Sequence, residues 1–367
     1  MYVENGKISS RQTFRLYVFD LMGLATLLLP PYLAKICGVD GIWAIILGTG
    51  LGLLYLIYLG WIMKQMKSDL CTYLQQNTNA FVRNLTYVYV MLHSIATAGF
   101  CAYVFANLMQ YTLVRESTFW VVLLVIVVGA AYAVSGGLES RARVYEVLFW
   151  FVLLPFVAMM LATIKDFELI YMDGFFTIEG GQLWKGVYLV FLFLTPLFFS
   201  LFLIGEKEKN YGRNIVKTVS VSIFVSGIML LGSYILLVGN FGEKALASMR
   251  FPIVTIMSTV QFKGNFLKRM DALMLAVWFF TLYALLNLHL HYGVNMLKEL
   301  NPKGKKQTTT LWQVVIPAVF VFGIAYLIQQ SSNALYLFWD YYRYVAVPIM
   351  IVGPLLLLIV RRKKSDE

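Results

Sequence analysis

Ten runs of about twenty predominantly apolar residues, each long enough to cross the hydrocarbon of a bilayer, recur along this chain. They lie at Thr13–Lys35, Gly41–Met63, Phe81–Leu113, Phe119–Ser135, Val144–Thr163, Trp184–Ile204, Ile215–Gly239, Ala272–Met296, Leu311–Gln329 and Trp339–Val360. Inside a bilayer every backbone N–H and C=O needs a protein partner, so runs of this length predict α-helices. The third run exceeds the bilayer's need and predicts a tilted helix. We therefore expect an all-α polytopic membrane protein, a single membrane domain over residues 1–367. The connections are too short for a soluble domain. Composition agrees: 60% of residues are hydrophobic and 13% charged, against about half and a quarter in soluble domains. The polar start, Met1 to Thr13, carries Lys7 and Arg11 and leads into a full span, so no cleavable signal is expected.

A net charge of +11 would suggest nucleic acid in a soluble protein. Here the basic residues sit mostly in short connections, where they set membrane orientation, and no nucleic-acid partner is expected. With the N-terminus placed in the cytoplasm, the cytoplasmic connections hold twice as many Lys and Arg as the outer ones. That bias predicts both termini inside. Arg141 and Arg143 count among the cytoplasmic charges, and Lys35 and Arg250 among the outer ones. Trp43, Trp61, Trp120, Trp184, Trp312 and Trp339 fall near span ends, as interfacial belts do. The outer segment Phe251–Met257 reads as a short amphipathic helix in the interface.

Cys37, Cys71 and Cys101 are scattered, without metal or disulfide spacing. No Walker, GxSxG or HExxH motif occurs, and the three histidines have no carboxylate partner at useful spacing. We expect no enzyme, no metal and no cofactor.

The first span is unusual. Phe19–Tyr32 carries a carboxylate, Asp20, then the small residues Gly23, Ala25 and Thr26, then Pro30-Pro31. Two prolines deprive the carbonyls near residues 26 and 27 of their helical donors. Two readings fit: a helix broken inside a protein-lined cavity, or a kinked continuous helix with tightly packed neighbours. Span six is interrupted at Thr195-Pro196. Spans one and six correspond when ten spans are divided five and five, at 13–163 and 184–360, as in transporters built from inverted repeats with broken helices. Pro155 and Pro348 match in spans five and ten. The correspondence favours the broken helix.

A charge within a span is a functional hypothesis by default. Asp20 is read as a gate or cation contact, or as a carboxylate paired with Arg15 or Arg213. His93 reads as hydrogen-bonded packing. His289 and His291 point to nearly opposite helix faces and lie near the cytoplasmic end of span eight, where they read as interfacial. On span three Gly99, Tyr103 and Asn107 share a face, as do Trp278, Thr281 and Leu285 on span eight.

Three blocks carry a resemblance: Lys7-Ile8-Ser9-Ser10-Arg11-Gln12 at the start; Gly137-Leu138-Glu139-Ser140-Arg141-Ala142-Arg143-Val144-Tyr145-Glu146 before span five; and, beyond Phe251-Pro252, Arg269-Met270-Asp271-Ala272 leading to Trp278 in span eight. With ten spans, the chain resembles over its whole length the B subunits of spore germinant receptors, the GerAB-type endospore germination permeases. The resemblance implies a fold similar to amino acid/polyamine/organocation transporters: a five-plus-five inverted repeat with helices one and six broken, LeuT-like. It implies a small nutrient such as an amino acid as ligand. It also implies an A-type membrane subunit and a C-type lipoprotein as partners, and the spore inner membrane as location. Carried over by position, the ligand site comprises Gly23, Leu24, Ala25 and Thr26 of helix one and Leu194, Thr195 and Pro196 of helix six. Gly99 and Tyr103 of helix three and Trp278 and Thr281 of helix eight would face it, with Asp20 as gate or cation contact. Three functions remain open: a nutrient-sensing receptor subunit, an amino acid or amine permease, and a channel or assembly subunit.

Overall fold

A computed structural model describes residues 8–174, 179–203, 211–259, 270–301 and 311–359. The longer helices are α1 (Ser10–Cys37), α2 (Gly41–Met66), α3 (Leu70–Asn77), α4 (Ala80–Thr112), α5 (Phe119–Ser135), α6 (Gly137–Ala162) and α7 (Gly180–Leu192), then α8 (Tyr211–Ser248), α9 (Pro252–Thr259), α10 (Met270–Leu300), α11 (Leu311–Gln330), α12 (Ser332–Tyr341) and α13 (Val347–Ile359). A 3-10 stretch, Thr195–Phe202, continues α7, and a π-helical turn, Tyr342–Ala346, joins α12 to α13. Eight helical stretches are long and apolar enough to cross a membrane. The first, Ser10–Met66, contains both α1 and α2, and α5 is a further apolar helix of 17 residues. These cover the ten apolar runs. Among the described residues there is no strand.

α1 is the hub. It packs on α8, α10, α6, α7 and α2, and most of its side chains are buried. A helix apolar on every face belongs inside a bundle. Its start is capped by Ser9, whose hydroxyl accepts from the Gln12 amide at 3.2 Å while the Gln12 side chain accepts from the Ser9 amide at 2.9 Å. This is a capping box. Gln12 also donates to Glu146 Oε2 at 2.9 Å, Arg15 Nη1 donates to the Glu146 carbonyl at 2.9 Å, and Arg11 pairs with the same carboxylate. The first two sequence blocks that carried the resemblance thus meet here and clamp α1 to α6. Of the third block, Arg269 and the side chains of Met270, Asp271 and Ala272 lie outside the described residues.

Prolines recur within the spanning helices, and other side chains often take over the carbonyls they release. Pro354 leaves the Met350 carbonyl without its i+4 donor, and the Tyr55 hydroxyl donates to it at 3.1 Å; Tyr58 donates to the Ile351 carbonyl at 2.6 Å. Along the π-helical turn Tyr188 donates to the Arg343 carbonyl and Tyr89 to that of Ala346 at 3.1 Å. At Pro196 the released carbonyl is that of Leu192, and the Thr195 hydroxyl donates to it at 2.9 Å. The Thr195-Pro196 step is therefore the point where span six changes from α to 3-10 geometry.

Span one behaves differently, which corrects the expectation of a break there. α1 stays helical from Ser10 to Cys37 with both prolines inside. The small residues admit a neighbour and leave no opening. A Cβ on Gly23 would lie 2.4 Å from Thr281 Cβ and Oγ1. The Thr26 hydroxyl donates to the Met22 carbonyl at 2.9 Å and accepts from the Trp278 indole at 3.4 Å. α10 fills the space that unwinding would have needed.

Other placements also differ from the sequence reading. α6 begins before its apolar run and carries Arg141 into the protein, where it is buried and not in a cytoplasmic connection. Ile253, Ile256 and Met257 of α9, with Phe251 just before it, are buried in the bundle. Trp61, Trp120, Trp184 and Trp312 are exposed, as a lipid belt requires. Trp339 points inward among Phe100, Phe193 and Phe338.

Candidate functional site

Two cavities lie along α1. The inner one is lined by Asp20, Leu21 and Leu24 of α1, Thr97 and Phe100 of α4, Leu192, Phe193, Thr195 and Pro196 around the span-six step, Leu285 and His289 of α10, and Phe338, Trp339 and Tyr342. Its free volume is about 30 Å³, roughly one water's share of the liquid. The second opens at the end of the bundle that carries Lys35 and Arg250, with a free volume of about 260 Å³. Phe100 and Trp339 line both. Between the cavities stands one aromatic layer. Phe100 stacks on Phe338 with centroids 4.4 Å apart, and Trp339 meets Phe100 edge-on at 5.3 Å.

The inner cavity is mostly apolar, with a few polar groups aimed into it. Asp20 is ion-paired with Arg141, and Arg141 Nη2 also donates to the Ala284 carbonyl at 3.1 Å. The Arg141 guanidinium lies over the Tyr145 ring at 5.6 Å. Thr195 is hydrogen-bonded to the Tyr342 hydroxyl, which ties the span-six step to the π-helical turn. His93 Nδ1 lies 3.2 Å from the Tyr341 hydroxyl, and the rings of His93 and His289 meet edge-on at 6.1 Å. Thr97 Oγ1, His93 Nε2 and His289 Nδ1 are buried and, among the described residues, have no hydrogen-bond partner. Buried polar atoms are normally satisfied, so the two on cavity-lining residues, Thr97 and His289, mark a place that accepts water or a ligand's polar group.

Of the residues chosen from the sequence, Asp20, Leu24, Thr195 and Pro196 line the inner cavity, and Tyr103 lines the outer one. Others are packing contacts. Gly23 meets Thr281, Gly99 faces Ile324 of α11, and Leu194 fills the space at Gly52 of α2. Thr26 and Trp278 bond to each other. Ala25 is buried and lines neither cavity. His289 is not interfacial: it is buried in the cavity wall. Sequence reasoning missed Arg141 as the partner of Asp20, because 121 positions separate them. It also missed Phe338, Trp339 and Tyr342. Their signal was present in the aromatic density of Tyr336–Tyr344, which exceeds what an interfacial belt needs.

The apolar runs form an all-helical bundle with a geometry change in span six beside a cavity. The solved structure described as the substrate-bound outward-open state of a Na+-coupled sialic acid symporter has this fold. It superposes with a TM-score of 0.69 at 11% identity, covering 98% of this chain and 80% of that one. The fold is LeuT-like, as expected from the sequence. A family model described as spore germination protein matches residues 7–334, and the chain belongs to that family. Among curated relatives, spore germination protein A2 of Bacillus subtilis (strain 168) is 19% identical over 98% of this chain and 96% of its own length. Spore germination protein B2 of the same strain is 24% identical over 74% of each chain.

Proposed function

We propose that this chain is the nutrient-sensing subunit of a spore germinant receptor and that it binds a small nutrient, an amino acid, in the inner cavity between α1 and the span-six step. The observation that carries this reading is the pair of unpartnered buried polar atoms, on Thr97 and His289 of the cavity wall, beside Asp20 of the Asp20–Arg141 pair and Thr195. Together they supply donors, acceptors and charge for a zwitterion, while Leu24, Leu285 and Phe100 supply an apolar wall. At about 30 Å³ the cavity must enlarge to take such a ligand. A ligand that binds only the enlarged state shifts the population toward it, and that shift is the signal passed to an A-type membrane subunit and a C-type lipoprotein. The chain would sit in the spore inner membrane with both termini cytoplasmic.

Germination dose-response curves test the reading. Thr97→Val and Leu285→Ala change the wall of the cavity without touching the ion pair. Each is expected to shift the nutrient concentration for half-maximal germination about tenfold, the scale of one hydrogen bond of ~1.4 kcal/mol. Unmoved curves for both variants would overturn the assignment.

A permease reading is favoured by the two cavities lying on one path, separated by a single aromatic layer. Saturable accumulation of one amino acid by proteoliposomes containing this chain alone would establish it over the sensor.

A further inference from the structure

The larger cavity has a chemistry of its own. Its polar lining includes Lys35 in the last turn of α1, Arg250 between α8 and α9, and Asn107 of α4. Among its described lining residues there is no Asp or Glu. Neither cation forms a salt bridge among the described residues. The remaining wall is aromatic and aliphatic, with Tyr32, Tyr103 and Trp339.

Arg250 is an exposed side chain at the cavity, oriented by one hydrogen bond. Its Nη2 donates to Asn107 Oδ1. Asn107 is itself buried, and its amide nitrogen donates to Gln329 Oε1 at 3.1 Å and to the Tyr103 carbonyl at 3.0 Å. Those two bonds orient the amide so that its oxygen meets the arginine. A guanidinium has five donors in a planar fork, and this is the only hydrogen bond of Arg250 among the described residues. An arginine oriented in this way beside a cavity is suited to two-pronged contact with a carboxylate. The volume also fits. About 260 Å³ exceeds the roughly 150 Å³ of an engineered cavity that holds benzene, whereas the inner cavity is far smaller.

We propose that this cavity is a binding site for small carboxylates, with Arg250 and Lys35 as the anion contacts and the aromatic wall taking the apolar part of the ligand. It lies across the Phe100–Trp339 layer from the inner cavity, so an anionic or zwitterionic molecule is recognised there first. The inference does not rest on the nutrient-sensing reading.

The test is ligand-observed saturation-transfer NMR on the purified full-length chain in detergent micelles, with propionate and its neutral isostere propionamide as probes. Propionate is expected to bind, and propionamide at least tenfold more weakly. Lys35→Gln weakens propionate about tenfold and Arg250→Gln abolishes its signal. Arg250→Lys, which keeps the charge and loses the fork, falls between. Thr97→Val leaves propionate binding unchanged, so an inner-cavity failure in germination assays and a failure here are separate results. Equal binding of the two probes, binding of neither, or undiminished propionate binding in the Lys35→Gln/Arg250→Gln double variant overturns the proposal. If Arg250→Gln does not purify as a single species, the exposed Lys35→Gln and the charge-preserving Arg250→Lys decide.

Discussion

Arg141, in the first turns of α6, reaches into the bundle and pairs with Asp20 of α1, with both side chains buried. The pair joins three helices, because Arg141 also bonds to the Ala284 carbonyl of α10. It sits at the edge of the inner cavity, which Asp20 lines. Two charges taken out of water must neutralise each other, and either one left alone is costly.

The first prediction follows from that asymmetry. Asp20→Asn or Arg141→Gln alone should destabilise the purified protein by about 3–5 kcal/mol, because each strands a buried charge. The double variant should lose less than either single one. Thermal unfolding in detergent measures all three. Additive losses would mean that the two residues act independently.

Gly23 is a contact with α10. A Cβ there would sit 2.4 Å from Thr281 Cβ, so Gly23→Ala should cost about 1–3 kcal/mol through overpacking. Thr281→Gly should recover part of that loss in the double variant. Thr281→Ala should not, since its Cβ remains. Thermal unfolding of the four proteins distinguishes this from a ligand contact, which would change nutrient response and leave stability alone.

The aromatic layer should control passage between the cavities. In a background with Cys37, Cys71 and Cys101 replaced, Thr97→Cys places a thiol in the inner cavity wall. It should resist a small membrane-impermeant thiol reagent added from the Lys35 side. Adding Trp339→Ala should make it react. Equal labelling rates with and without Trp339 would show that access runs elsewhere.

Thr195 and Tyr342 should be energetically coupled. Their hydroxyls bond to each other, and Thr195 also covers the carbonyl released by Pro196. Tyr342→Phe should cost about 1 kcal/mol and Thr195→Val more, up to about 3 kcal/mol, because the valine leaves a buried carbonyl unpaired. A double-mutant cycle on unfolding should return an interaction energy above about 0.5 kcal/mol.

Much of the architecture was legible in the chain. The ten apolar runs correspond to the observed helices, and the Thr195-Pro196 step is a local feature that local chemistry predicts. The site was legible only in part. Charge, position and proline mark Asp20, Leu24, Thr195 and Pro196, and these four line the inner cavity. Gly23 and Thr281 were misread because a glycine that permits unwinding and one that permits close packing look alike in one dimension. Trp339 was taken for a lipid anchor because position near a span end does not say which way a ring points.

The sequence by itself determined the class of fold. A bilayer leaves unpaired backbone groups no solvent, so runs of this length become helices whatever their neighbours, and the positions of proline and threonine decide which carbonyls need new donors. The tertiary structure alone decided what those helices do to one another: that α10 closes the gap at Gly23 and keeps α1 continuous, that the partner of Asp20 is Arg141, and that one aromatic layer divides two cavities. Each of these depends on contacts between residues more than a hundred positions apart, and their energies arise only when the whole bundle is packed.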